Sequence, residues 1–249
     1  MAQRFIEELS YNAWPAEQTV FFDGWILRFA SGYTKRANSI VTIYPSMRPL
    51  EEKINNCEKM YKERNLPTVF KMTTFCMPTE LDSILEGRGY QKQSPSSVQL
   101  AELKKIEKYS DKNIKTFDHL CNDWLIPFQQ MSAVPIAMSS HMSNILRNIL
   151  PTHKYFCIFE DGVIKACGLG VVQSGFIGLF DIVTHPSYRH QGYGRQIVGQ
   201  ILAWGKEQGA KNAYLQVIQS NTIAIELYQS FGFKEFYQYW YRTNEKTEK

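Results

Sequence analysis

Hydrophobic and polar positions along the chain mark out short β-type runs and amphipathic helices, in an order that nearly repeats. The opening segment RFIEELSYNAW has the apolar spacing of a short amphipathic helix. The runs TVFF and WILRFA are joined by Asp23-Gly24, a pair that favours the positive φ angles of a two-residue hairpin. NSIVTIYP reads as a third strand ended by Pro45, and LEEKINNCEKMYKERN as a helix with Ile54, Cys57 and Tyr61 on one stripe. PTVFKMTTF is then a strand, TELDSILEGRG a helix and YQKQSPSSVQLAEL an extended segment. The polar, lysine-rich KKIEKYSDKNIK follows and predicts a domain boundary.

A second unit starts near residue 116. FDHLCNDWLIPFQQM and SSHMSNILRNIL have helical patterning. KYFCIFE, VIKACGLGVVQ and FIGLFDIVT predict a three-stranded meander, turned at Asp161-Gly162 and Ser174-Gly175. A glycine-containing loop and a helix from Arg195 come next, then the strand NAYLQVIQ, the helix NTIAIELYQSF and a last strand, FKEFYQYWYR. A shift of 143 positions lays NAYLQVI on FKMTTFC and the Phe231-Gly232-Phe233 helix end on Arg88-Gly89-Tyr90. The expectation is a duplicated α+β unit, residues 1–103 and 104–249, each with a mixed and mostly antiparallel sheet, the two packed side by side.

Composition narrows the classes. With 44% hydrophobic and 21% charged residues, the chain matches an ordinary globular protein. The net charge of +4 contains no block of like charges, so no nucleic-acid partner is expected. Five scattered cysteines without a CxxC pair support neither a zinc knuckle nor a disulfide framework, which points to reduced thiols in a cytoplasmic protein without a metal. The N-terminus lacks the apolar core of a signal peptide, and no run approaches the ~20 residues of a membrane span.

The candidate chemistry lies in the second unit. THPSYRHQGYGRQIVGQIL sets Arg189, His190, Gln191, Gly192, Tyr193, Gly194 and Arg195 between a strand and a helix. A helix N-terminus presents unpaired N–H groups and partial positive charge, and glycines let that backbone approach an anion closely. A plain glycine turn flanked by solvated arginines is the alternative. The loop is neither a dinucleotide-binding fingerprint, lacking the third glycine, nor a Walker loop, lacking Gly-Lys-Ser/Thr. Farther on, Asn221, Ala224 and Tyr228 share one helix face, while Ile223, Leu227 and Phe231 point toward a core. Here the alternative is a helix cap at Asn221 and a core aromatic at Tyr228.

Taken together, R-x-x-G-x-G, helix, strand and N-x-x-A-x-x-L-Y-x-x-x-G-F resemble the GNAT superfamily of acyl-CoA-dependent N-acyltransferases, over about residues 153–242. The whole chain resembles a bacterial group of tandem GNAT-like acetyltransferases. The resemblance implies that backbone N–H groups from His190 to Arg195 hold the pyrophosphate of acetyl-CoA. It implies that Ile182, Val183 and Thr184 pair with the pantetheine arm, that Asn221 hydrogen-bonds it, and that Tyr228 sits by the thioester sulfur as a proton donor. A backbone N–H near Val183 would face the developing oxyanion. Asp181, His185 and Glu160 are the candidate bases, with a water chain as the alternative. Asp181 and Val183 share a face by strand alternation.

Under the 143-residue shift Gly192 falls on Pro49, Gly194 on Glu51, Asn221 on Pro78, Ala224 on Leu81 and Tyr228 on Leu85, so the first unit should not hold CoA in the same way. Its Arg28, Tyr33, Lys35, Arg36 and Asn38 form either a substrate-facing wall or a solvated basic loop. The five tryptophans read as core or inter-unit packing. The expected function is transfer of an acetyl group to a primary amine of a small molecule by direct attack in a ternary complex. The alternatives are a non-catalytic CoA-binding regulatory module and a protein or peptide N-acetyltransferase. A roofed cleft would suit the small molecule, an open-ended groove the peptide.

Overall fold

The computed structural model describes residues 2–105 and 113–244. The lysine-rich boundary segment runs into residues 106–112, outside the described residues. Helix α1 (Ala2–Ala13) leads into the hairpin β1 (Gln18–Phe22) and β2 (Trp25–Phe29), then β3 (Ile40–Val41), α2 (Leu50–Lys62), β4 (Thr68–Thr73), α3 (Leu81–Gly87) and the long β5 (Gln91–Glu102). After β6 (Ile114–Phe117) come α4 (Asn122–Met131), α5 (Ser139–Arg147), β7 (Thr152–Glu160), β8 (Val163–Gln173) and β9 (Phe176–Thr184). The chain continues through α6 (Tyr193–Glu207), β10 (Asn212–Ile218), α7 (Thr222–Gln229) and β11 (Lys234–Asn244). The three predicted turns hold both central residues at positive φ, at Asp23-Gly24, Asp161-Gly162 and Ser174-Gly175. That twist suits the right-handed coil of the flanking strands.

Two sheets packed side by side were expected, but the strands form one eleven-stranded sheet in the order β1-β2-β3-β4-β11-β5-β10-β9-β8-β7-β6. Read from either end, it has antiparallel neighbours, then a parallel pair (β3 with β4, β9 with β10), then a strand from the other half of the chain. The last strand of each half has crossed over: β5 lies against β10, and β11 against β4. The exchanged strands pair antiparallel with each other in the middle, from Lys234 opposite Leu100 to Thr243 opposite Gln91. This closes an edge that each half would otherwise expose, which removes two templates for aggregation. A further difference is β6, a polar edge strand beside β7 that the lysine-rich composition did not suggest. Its residues need only backbone pairing, which leaves no mark on hydrophobic patterning.

Helices α1, α4 and α5 share one continuous core that takes residues from both halves, among them Leu9, Trp14, Val69, Trp124, Tyr155, Tyr214 and Tyr237. Separate clusters lie under α6 with α7 and under α2 with α3. Helix α6 approaches the sheet closely at Gly205, where a Cβ would lie 2.7 Å from Cβ of Ile177. A Cβ cannot rotate aside, so Gly205→Ala should lose more through overpacking, about 1–3 kcal/mol, than the ~1 kcal/mol that alanine adds to a helix. A urea titration should show a net loss of roughly 1–2 kcal/mol. Among the described residues no helix is long and apolar enough to cross a membrane.

Candidate active site

The site begins where two parallel strands part. β9 and β10 stay in register from Phe176 and Asn212 to Leu179 and Leu215, then separate. Beyond that point β9 from Phe180 to Thr184 pairs only with β8, and β10 from Gln216 to Ile218 only with β5. A bulge helps to turn β9 away. The β8 ladder slips between Cys167 opposite Val183 and Leu169 opposite Phe180, and Asp181 takes a positive φ of 52°. The bulge breaks the two-residue alternation expected between Asp181 and Val183.

A cleft of about 1010 Å³ occupies the gap. Asp181, Ile182, Val183, Thr184, Arg189, His190, Gly192, Tyr193, Gly194, Arg195, Asn221 and Tyr228 all line it. Of the residues singled out in the sequence, Gln191 does not: its exposed side chain turns back to the Ser187 carbonyl at 3.4 Å.

Helix α6 starts earlier than expected, at Tyr193, so Gly194 belongs to its first turn and only Gly192 caps it. Gly192 has φ 87°, a left-handed geometry that costs a non-glycine residue roughly 1–2 kcal/mol. Gly194 is needed for space instead, since a Cβ there would stand 3.4 Å from Leu227 Cδ2 and 3.5 Å from Thr184 Oγ1. The first helical N–H with a protein acceptor is that of Gln196, bonded to the Gly192 carbonyl at 3.0 Å. The N–H groups of Tyr193, Gly194 and Arg195 have none among the described residues. Arg195 leans on α7 through Ser230 Oγ at 2.6 Å and over the Phe231 ring.

The corresponding loop of the first half has its anion built in. Helices α2 and α6 begin 143 residues apart, at Leu50 and Tyr193, as β5 and β11 do at Gln91 and Lys234. Just before α2, the carboxylate of Asp23 accepts the N–H groups of Met47 at 3.1 Å and Arg48 at 2.9 Å, with Lys53 Nζ 3.3 Å away. These bonds hold the Asp23 carboxyl below its usual range, the Arg48 N–H contributing most. Met47 and Arg48 correspond to His190 and Gln191. No carboxylate takes Asp23's place at the second loop: Glu160 accepts instead from the Tyr193 hydroxyl and from Asn113 Nδ2.

On α7, Asn221 caps the helix, its Oδ1 accepting the Ala224 N–H at 3.2 Å, and it also faces the cleft. Ile223 and Leu227 do not enter the core as expected. Ile223 is 66% exposed at the rim and Leu227 lines the cleft, because the short helix lies on the rim with only Tyr228 buried. The Tyr228 hydroxyl has no hydrogen-bond partner among the described residues, and burial pushes its pKa up to about 12.

Of the three candidate bases, only Asp181 lines the cleft. His185 caps a short turn, its Nδ1 accepting the Ser187 N–H at 3.2 Å, and Glu160 is engaged as above. Asp181 Oδ2 is buried with no hydrogen-bond partner. Burial raises this carboxyl to about 7, against a smaller opposing pull from Arg36.

The polar cluster of the first half divides. Arg28 is buried and donates to the carbonyls of Trp14 and Arg36, and Asn38 ties its loop through the Ala30 and Gly32 N–H groups, so both are structural. Lys35 pairs with Gln93. Arg36 reaches the cleft wall with its guanidinium over the Trp14 ring, 5.2 Å from the centroid. Sequence reasoning missed four other lining residues, Phe128, Ser132, Phe180 and Gln216. Gln216 alone carried a signal, as a polar residue amid the apolar NAYLQVI strand. Among the described residues no group of three or more His, Cys, Asp or Glu could hold a metal ion.

A family profile described as "Probable histone acetyltransferase Rv0428c C-terminal" matches residues 2–242. The chain is 28% identical over 243 residues to the "Uncharacterized N-acetyltransferase YobR" of Bacillus subtilis, covering 96% of this chain and 97% of that one. It is 32% identical to the "[Ribosomal protein bS18]-alanine N-acetyltransferase" of Escherichia coli over 80 residues, 32% of this chain and 54% of that enzyme. A "GCN5-related N-acetyltransferase from Kribbella flavida" shares the fold with a TM-score of 0.72 at 12% identity, covering 97% and 95% of the two chains.

Proposed function

Because the chain belongs to the GNAT superfamily of N-acetyltransferases, we propose that it moves an acetyl group from acetyl-CoA to a primary amine of a small molecule, by direct attack in a ternary complex. It is an acyltransferase of the GNAT type, and the family uses acetyl-CoA. The reading of this cleft rests above all on the loop before α6, whose unpartnered N–H groups surround an open approach: a Cβ on Gly192 would meet nothing within 4 Å. An anion as large as a pyrophosphate suits such a seat. The self-filled loop at Asp23 supports the same reading, since it shows how this chain places a carboxylate on N–H groups of the matching position.

Bound acetyl-CoA supplies an acyl thioester. In this proposal the unpaired edge of β9 from Ile182 to Thr184 aligns the pantetheine arm as a partial extra strand, and Asn221 bonds to it from the α7 cap. Asp181 Oδ2 takes the proton that the amine loses as its nitrogen bonds to the acyl carbon. The Tyr228 hydroxyl gives a proton to the sulfur as the C–S bond breaks. Such proton transfers contribute about 10²–10⁴-fold, and holding the two reactants together supplies much of the remainder.

We also read the chain as two GNAT-like units, 1–103 and 104–249, with exchanged last strands and a degenerate first copy. The 143-residue spacing of α2 and α6 supports this, as does the symmetric strand order. In the first copy Asp23 sits in the anion seat and Leu85 stands at the tyrosine position. A second reading, a protein N-acetyltransferase, draws on the names of the matched family and of the ribosomal-protein enzyme. The wall that Arg36 of the first unit adds to the cleft favours a small acceptor.

Calorimetric titration with acetyl-CoA and with CoA tests the seat. One site per chain is expected, abolished in the Gly192→Glu, Gly194→Glu double variant by charge repulsion and by backbone strain at residue 192. No binding by folded wild-type protein would sink the enzyme reading, and two sites per chain would sink the degenerate first copy.

A further inference from the structure

Where β9 and β10 part, three polar groups that line the cleft lack the partners such groups normally have. Asp181 Oδ2 and Gln216 Nε2 are both buried without a hydrogen-bond partner. The Gln216 carboxamide is oriented by the Tyr239 hydroxyl, which donates to Oε1 at 3.4 Å, so its nitrogen is the free end. Arg36 forms no ion pair with any described carboxylate, and its guanidinium is braced against the Trp14 ring. Native proteins leave few buried polar atoms unsatisfied. An acceptor oxygen, an amide donor and a cation gathered in one cleft therefore describe the partner that would complete them. Phe128 and Phe180, both buried, supply apolar wall beside them.

We propose that the acceptor amine also carries a carboxylate, with its nitrogen at Asp181 Oδ2 and its carboxylate shared between the Arg36 guanidinium and the Gln216 amide. A planar guanidinium fork matches carboxylate geometry, and a neighbouring amide N–H adds a second direction of recognition. An amine without the anion would leave Arg36 and Gln216 desolvated and unpaired, which is how buried polar groups reject analogues. The residue that reads the anion belongs to the first unit, which gives that unit a part in substrate choice although its own CoA seat is filled. This inference rests on the acetyl-transfer reading of the cleft.

The test separates the two. The full-length protein is first titrated with acetyl-CoA by calorimetry. Thiol release is then followed with amino acids and ω-amino acids, with their carboxamides, with their decarboxylated amines and with a lysine-containing peptide. The preferred carboxylate-bearing amine should exceed its carboxamide by about 10–100-fold in kcat/KM, the range of one charged hydrogen bond. Arg36→Gln should bring the two within a few-fold while binding acetyl-CoA as wild type does, which also shows that the variant is folded. Gln216→Met should lose part of the preference. Failure to bind acetyl-CoA overturns the transferase reading. Binding together with equal or better turnover of uncharged amines, turnover of the peptide alone, or no turnover of any compound overturns the carboxylate assignment.

Discussion

Asp181→Asn should lower kcat/KM by about 10²–10⁴-fold and remove the acid limb of its pH profile, if this carboxylate is the base. Burial raises the Asp181 carboxyl to about 7. The wild-type rate should therefore climb with pH through neutrality and level off above it, as the carboxyl loses its proton. Asparagine keeps the size of the side chain and loses the titration, so the variant's residual rate should be nearly flat across that window. Stability runs in the opposite direction. A carboxyl whose pKa is raised on folding holds its proton in the native state while the unfolded chain, with a pKa of about 4, has released it. Its contribution is full below about pH 4 and is lost as the pH rises through about 7. Urea titrations at pH 5 and pH 8 should show this fall for wild type and a smaller one for Asp181→Asn. A variant with an unchanged rate and an intact acid limb would exclude Asp181 as the base and leave a water chain in its place.

The second large effect concerns stability. Glu7 and Lys71 form a fully buried ion pair of 2.6 Å that ties α1 to β4. The Tyr11 and Tyr237 hydroxyls donate to the same carboxylate, so α1, β4 and β11 meet at one charge. Removing one member of a buried pair leaves the other uncompensated and costs about 3–5 kcal/mol. For Lys71→Met the loss should fall in that range at neutral pH, a large part of the ~5–15 kcal/mol that holds a typical domain. Glu7→Gln, Lys71→Met should recover much of it, because no unpaired charge remains. Denaturation curves for the two single variants and the double variant form a thermodynamic cycle. A single-variant loss below about 1 kcal/mol would mean that water reaches the pair. The pair also has a positional consequence. Lys71 Nζ lies 4.2 Å from the centroid of the Tyr239 ring, and the Tyr239 hydroxyl orients Gln216 at the cleft. Loosening it should therefore disturb the acceptor end of the cleft before the glycine loop.

Much of this molecule could be read from short stretches of sequence. Asp23-Gly24, Asp161-Gly162 and Ser174-Gly175 dictate their turns because few residue pairs tolerate positive φ at both positions. The stripe Ile54, Cys57 and Tyr61 marks α2, and the glycines at 192 and 194 mark the start of α6. These signals depend on neighbours within about one helical turn, so the sequence by itself determined them. It also determined that the segments from Asp181 to Thr184, from Arg189 to Arg195 and from Asn221 to Tyr228 carry the candidate chemistry. Tertiary structure decided the rest. Nothing local tells β5 to pair with β10 or β11 with β4, since strand exchange depends on which edge is free when the chain arrives. The bulge that frees the Asp181 carboxylate comes from a slip against β8, and its raised pKa from burial by distant groups. Asp23 fills the first loop only because a hairpin 24 residues upstream of Met47 folds onto it. Arg36 and Gln216, 180 positions apart in the chain, meet in one cleft because the sheet is continuous. Dihedral preference acts between neighbouring residues, whereas burial and charge act through space, and only the folded chain sets those distances.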